Sequence, residues 1–131
     1  MSMLTRSGYQ AYQRNKYETA SPHKLILLLY DGALTNIARA KQAIEGKNIA
    51  EANRFILKSQ DIVNELLACL NEERGGEIAQ NLKRLYFYVN RILVQANIRK
   101  QIEPLVEAET ILADLRDTWE KIGKVVGTGA T

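Results

Sequence analysis

The chain holds one cysteine, one histidine and two prolines among its 131 residues. Each scarcity removes a class of answer. A single thiol, Cys69, cannot build an internal disulfide framework, and it fits a reducing compartment. A single imidazole, His23, cannot supply the usual ligand set of a zinc site. The Glu-x-x-His pairs of di-iron bundles are also missing, because Ala20 stands three residues before His23. Without a second histidine to activate it, Cys69 reads as a small packed or half-exposed residue and not as a nucleophile. His23 does not read as a phosphotransfer residue either. It falls at a helix start and is followed by Lys24-Leu25-Ile26-Leu27-Leu28-Leu29, where a phosphoryl group needs small and basic neighbours. No glycine loop is suited to cradling phosphate: Gly75-Gly76 reads as a helix break, and Gly127-Thr128-Gly129 as a tail. No apolar run is long enough to span a bilayer, and Met1–Arg6 lacks an apolar signal core. The excess of 18 basic over 15 acidic residues leaves a net charge of only +3, too mild to argue for nucleic acid. The expectation is a cytoplasmic protein with no catalytic residues, no metal, no cofactor and no membrane insertion.

What remains is helix. Scarce proline favours it, since proline removes interior helical hydrogen bonds. A polar lead, residues 1–20, carries Tyr9 and Tyr12. Four helical blocks follow over residues 21–126, and residues 127–131 form a glycine-rich tail. Ser21-Pro22 starts the first block as N-cap and first helical residue, and Gly46 is expected to stop it. The second runs from about Ile49 to Leu70, the third from Glu77 to Lys100, and the fourth starts near Pro104. Apolar residues recur at steps of three and four. The first block shows Leu25, Leu29, Ala33, Ile37, Ala40 and Ile44. The second shows Ile49, Ala52, Ile56, Ser59, Val63, Leu66 and Leu70. The third shows Ile78, Leu82, Leu85, Val89, Ile92 and Ala96, and the fourth Leu105, Ala108, Leu112, Leu115, Trp119, Ile122 and Val126. This spacing keeps one seam of each helix on a common axis. The short connections make successive helices antiparallel. The fold class is therefore all-α: an antiparallel up-down four-helix bundle with a short N-terminal tyrosine-bearing cap segment.

The second and fourth helices read as ordinary amphipaths, polar opposite the seam. The first and third carry too much apolar surface. Leu27, Leu34 and Ala38 lie off the first seam. Phe87, Val94 and Ile98, at steps of seven and four, lie roughly opposite the third at ~100° per residue. Two readings stay open. The lead could cover one stripe permanently, and isolated exposed apolar residues are ordinary. A partner surface is favoured because two helices show the surplus and two do not. Gly32 adds an interior helical glycine, which costs ~1 kcal/mol against alanine and suits a close approach, either by a neighbouring helix or by a partner. A structural oligomer that buries the stripes against its own copy is the rival class.

Thr19-Ala20-Ser21-Pro22, Leu25-Ile26 and Leu29-Tyr30-Asp31-Gly32-Ala33 resemble the signature of the flagellar secretion chaperone family FliS. The likeness extends to Tyr9 and Tyr12, to Lys58-Ser59-Gln60-Asp61-Ile62 with Glu65-Leu66, to Leu82, Leu85-Tyr86 and Ala96-Asn97, and to Leu115-Arg116 with Trp119. Ser59 departs from an expected alanine, and Leu28 from a common methionine. The resemblance implies a helical bundle that binds the C-terminal segment of newly made flagellin. It implies that the bundle stops early polymerisation and delivers flagellin to the type III export gate of the flagellum. Contact with flagellar regulators, as an anti-sigma-type binding module, is the alternative it implies. The client wraps the bundle, so the implied client-binding residues are Tyr9 and Tyr12 in the lead, then Leu27, Tyr30, Gly32, Leu34 and Ala38 on the first helix. On the third helix they are Tyr86, Phe87, Asn90, Val94, Asn97 and Ile98. The physics would be helix-in-groove capture of a segment that is disordered when free.

Overall fold

The computed structural model describes residues 21–127, with side chains as far as residue 123. The lead and most of the tail, Tyr9 and Tyr12 among them, lie outside the described residues. Four helices follow one another: α1 (Pro22–Glu45), α2 (Ile49–Ala68), α3 (Glu72–Arg99) and α4 (Ile102–Gly127). Every regular element among the described residues is an α-helix.

Each start has a local cause. Ser21 accepts a hydrogen bond from the Lys24 amide (3.1 Å), Asn48 from Glu51 (3.2 Å) and Asn71 from Arg74 (3.1 Å). Each cap satisfies one of the amides that a helix leaves unpaired in its first turn. Pro104 sits in the first turn of α4, where its missing N–H costs nothing. The ends correct one expectation. Gly46 caps α1 at φ −82°, outside the left-handed region, and Lys47 takes the positive φ of 58° instead. The tight turn is closed by Asn48 N–H to the Ala43 carbonyl at 2.8 Å. Lys100 likewise ends α3 at φ 52°. The expected break at Gly75-Gly76 falls on Gly76, whose φ of 52° and ψ of −128° interrupt α3 and leave one helical turn before a main helix from Glu77.

α1 packs against α2 and α4, and α3 packs against the same two, so α1 and α3 lie diagonally across the axis. The seams supply the core. Leu29, Ala33, Ile37 and Ala40 of α1 meet Ile56, Val63 and Leu66 of α2, Val89, Ile92 and Ala96 of α3, and Leu105, Ala108 and Leu112 of α4. Ser59, fully buried on the α2 seam, donates to the Phe55 carbonyl at 3.1 Å, so its hydroxyl carries no unpaired donor. Seam positions near helix ends fall outside the core. Ile49, Ile78 and Ile122 are 61%, 72% and 47% exposed, because the bundle has no neighbouring layer beyond them. The Leu85 seam position is only half-buried, and Tyr86 beside it fills the core instead.

Tyr30 of α1 and Tyr86 of α3 are 3% and 2% exposed, and their hydroxyls meet across the bundle at 2.6 Å. This is a diagonal contact through the core. The surface position expected of both residues is corrected. Each ring is large enough to reach the axis, and each hydroxyl finds there the partner that a buried phenol requires.

The α1–α4 side is tied by polar contacts. Arg116 Nε donates to Asp31 at 2.6 Å, and Lys41 Nζ to Glu109 at 2.7 Å. At the end of the bundle where α1 begins, Trp119 Nε1 donates to the His23 carbonyl at 3.0 Å, and the two rings stack at 5.2 Å. Gly123 closes this corner. A Cβ there would fall 1.9 Å from His23 Nε2.

Candidate protein-binding surface

The surface is built on α3. Phe87, Val94 and Ile98 share its outward face and are 55%, 41% and 76% exposed. Their steps of seven and four put them within a narrow sector opposite Val89, Ile92 and Ala96. Beside them runs the groove between α2 and α3. Two asparagine pairs cross it. Asn97 Nδ2 donates to Asn53 Oδ1 at 2.8 Å, and Asn90 Nδ2 to Asn64 Oδ1 at 2.9 Å. These pairs fix the antiparallel register, and Leu57 and Val94 fall between them on the two walls. Leu57 is 47% exposed. Past the Asn90 pair the groove widens into a depression where the apolar Leu67, Leu70 and Phe87 stand beside the charged Glu72, Glu73 and Lys83. The groove is therefore apolar in part, with amides and charged groups along its edges. The Asn90 Oδ1 atom is buried and has no hydrogen-bond partner.

The other expected stripe is less open. On α1, Leu27 is buried, while Leu34, Ala38 and Gly32 are half-buried. Asn36, one turn after Gly32, donates to the Gly32 carbonyl at 2.8 Å, so this stretch of α1 carries a back-bonded side chain. The thirteen expected residues thus separate into groups. Phe87, Val94 and Ile98 are exposed together. Asn90 and Asn97 stand at the edge of the same groove. On α1, the half-buried Leu34 and Ala38 share another side with the buried Leu27, and Gly32 lies well round the helix from them. Tyr30 and Tyr86 are interior, and Tyr9 and Tyr12 are outside the described residues.

Leu57, Asn53 and Asn64 were missed by the sequence reading. The description of the second and fourth helices as plain amphipaths is corrected, since Leu57 on α2 and Val106 on α4 are 47% and 44% exposed. The spacing Asn53, Leu57, Asn64 is one helical face and was available in the sequence. What gave it meaning was the matching Asn90, Val94, Asn97 on the antiparallel neighbour.

Partial burial pushes the Cys69 thiol up, and the Glu65 carboxylate adds to it, so the reactive thiolate is disfavoured. No group of three or more His, Cys, Asp and Glu side chains that could hold a metal occurs among the described residues. No helix among them is long and apolar enough to cross a membrane. An exposed apolar stripe beside an amide-edged groove suits an apolar helical segment.

The family model described as flagellar protein FliS matches residues 5–126. The chain belongs to the FliS family. It is 38% identical over 125 residues to the flagellar secretion chaperone FliS of Salmonella typhimurium, covering 92% of this chain and 93% of that one. It is 40% identical over 119 residues to the Bacillus subtilis flagellar secretion chaperone FliS, covering 91% and 88%. The flagellar secretion chaperone FliSB of Pseudomonas aeruginosa is 36% identical over 124 residues, covering 92% and 98%. The resemblance seen in the helix-1 motif is thereby shown for nearly the whole chain. FliS relatives are named as chaperones and not as enzymes.

Proposed function

We propose that this FliS protein is a cytoplasmic flagellar export chaperone whose client is the C-terminal segment of flagellin. The segment is held against the bundle as amphipathic helix, which keeps it from polymerising until it is passed to the flagellar type III export apparatus. The observation that carries this reading is the open stripe Phe87–Val94–Ile98 beside the α2–α3 groove. Three large apolar side chains on one outward helix face remain in contact with water although the core beneath them is complete. A client helix placing apolar residues at i, i+3, i+4 and i+7 would cover them. A free flagellin segment must be ordered on binding, at a cost of about 2–5 kcal/mol or more, and only a broad apolar contact offsets this. The diagonal placement of α1 and α3 suits a client that wraps from one side of the bundle to another, with Leu34 and Ala38 as the second contact.

Monomeric flagellin from the same organism tests the reading. Co-elution of a one-to-one complex is expected, with Phe87, Val94, Leu57 and Ile98 amides and their neighbours gaining hydrogen-exchange protection. Flagellin that stays separate, or protection confined to α4, would defeat it.

A further inference from the structure

The part of α3 that bears the stripe is cationic, while the neighbouring α4 has more acids than bases. From Ile78 to Lys100 the chain contains no Asp or Glu but five cations, Lys83, Arg84, Arg91, Arg99 and Lys100. α4 beside it carries Glu103, Glu107, Glu109, Asp114, Asp117 and Glu120. Two of the α3 cations stand in the stripe itself. Arg84 and Arg91 are seven residues apart, so they lie on one face about 10 Å from each other, with Phe87 between them. Together with Phe87 and Tyr88 they line a shallow depression on the helix surface.

Neither arginine has a carboxylate partner among the described residues. Arg84 Nη1 donates to Asn81 Oδ1 at 3.0 Å, and the Arg91 guanidinium lies over the Tyr88 ring at 5.2 Å. Lys83, by contrast, pairs with Glu72 at 2.9 Å. The nearby acid on α4, Glu107, accepts a hydrogen bond from the Tyr88 hydroxyl. Both arginines thus keep guanidinium donors for a ligand, and each is steadied by a neutral neighbour. The groove wall on the other side presents the neutral Asn53, Leu57 and Asn64 with the exposed Asp61 beside them, and Glu72 at the far end is paired with Lys83, so the unopposed positive charge lies on the Arg84–Arg91 side of the stripe. Guanidinium groups recognise carboxylates through paired, planar hydrogen bonds.

We propose that the segment held on α3 is an acidic amphipathic helix. Its apolar anchors cover Phe87, Val94 and Ile98, and carboxylates one or two turns apart pair with Arg84 and Arg91. This rests on α3 being the client surface, and it adds the chemical character of the client there. Such rim charges steer encounter and set register and partner choice more than they add affinity. The binding of a suitable segment should therefore be faster than that of a neutral one, and sensitive to salt.

The test uses the full chain and monomeric flagellin, with the charge-reversed pair Arg84→Glu/Arg91→Glu and the apolar variant Phe87→Asp. Association and dissociation are measured at about 50 mM and about 500 mM salt, which spans strong and weak screening. All three side chains are exposed, and circular dichroism confirms that each variant is folded. Charge reversal is expected to lower affinity at least about tenfold at low salt, mainly through slower association, with the deficit shrinking at high salt. Arg84→Lys/Arg91→Lys should retain most of the association rate. If Phe87→Asp loses binding while the charge-reversed protein binds as the parent does, the acidic helix is refuted and the client surface stands. If neither variant changes binding, the client surface itself is refuted. If light scattering shows that the free protein dimerises and charge reversal dissolves the dimer, the occupant is the acidic α4 of a second copy, and the proposal is overturned.

Discussion

The hydroxyl pair at the centre of the bundle gives the sharpest quantitative test. Tyr30 and Tyr86 are nearly inaccessible to water, and each hydroxyl has the other as partner at 2.6 Å. Changing Tyr30 to Phe removes one oxygen and leaves Tyr86 with a buried polar group unpaired. That costs about 1–3 kcal/mol, because the group has lost water without replacement. Tyr86→Phe should cost the same for the same reason. The double variant removes both polar groups and keeps both rings in place. It should lie within about 1 kcal/mol of the parent. The singles therefore should not add, and with the double within about 1 kcal/mol of the parent the coupling should be about 1–6 kcal/mol, the larger the more each single costs. For a domain of this size, each kcal/mol corresponds to a shift of about 4 °C in Tm. Each single variant is expected to melt about 4–12 °C lower, and the double variant close to the parent. Thermal and urea denaturation of the four proteins completes the cycle. A double variant that loses the sum of the two singles would show that the hydroxyls act independently, and the geometry assigned to them would be wrong.

The same pair predicts a response to alkali. Burial pushes both phenols above their ordinary range, and Tyr86 is pushed further because its neighbour's hydroxyl opposes its ionisation. The unfolded chain ionises these groups near pH 10. Their share of stability is full below that pH and is lost progressively as pH rises from there towards the raised folded values, so urea midpoints should fall above pH 10 more steeply in the parent than in the double Phe variant. Phe87→Asp and Val94→Asp should leave Tm within a few degrees and weaken flagellin binding, since their side chains already meet water, whereas Val89→Asp and Ile56→Asp should abolish the cooperative transition by burying a charge. Unfolding by the first two would place the stripe in the core. Gly123→Ala should force His23 off Trp119, the chain's one tryptophan, and change its emission. The helix gains about 1 kcal/mol from alanine and loses about 0.5–1.5 kcal/mol from the broken stack, so Tm should barely move. Unaltered fluorescence would contradict the close packing of that corner. Lys47→Gly should raise stability by up to about 1 kcal/mol, because a side chain at φ 58° is strained. A lower Tm would refute it.

The three-four repeat was enough to read the α2 seam without error from Ala52 to Leu66, since one face of one helix decides which residues can reach a common axis. It also fixed the outward direction of Phe87, Val94 and Ile98. It failed where length and not phase decides. Ile49, Ile78 and Ile122 are in phase with their seams and still meet water, because each lies towards an end of its helix, away from the central layers of the core. Tyr30 and Tyr86 failed for another reason. Their angular positions lie beside the seams, and only a diagonal partner across the axis makes a buried hydroxyl tolerable. Neither helix shows that partner by itself.

Local sequence, then, determined the number of helices, their starts, the break at Gly76 and the existence of an apolar surplus on α3. These depend on capping, backbone freedom and periodicity, which act within a few residues. Tertiary structure alone decided what that surplus borders. Asn53 meets Asn97, and Asn64 meets Asn90, only after two antiparallel helices settle into register. The same packing leaves Arg84 and Arg91 without carboxylate partners among the described residues and makes Tyr30 and Tyr86 a pair. Each is a contact between residues far apart in the chain, fixed by how the helices fit together and invisible to any periodicity within one of them.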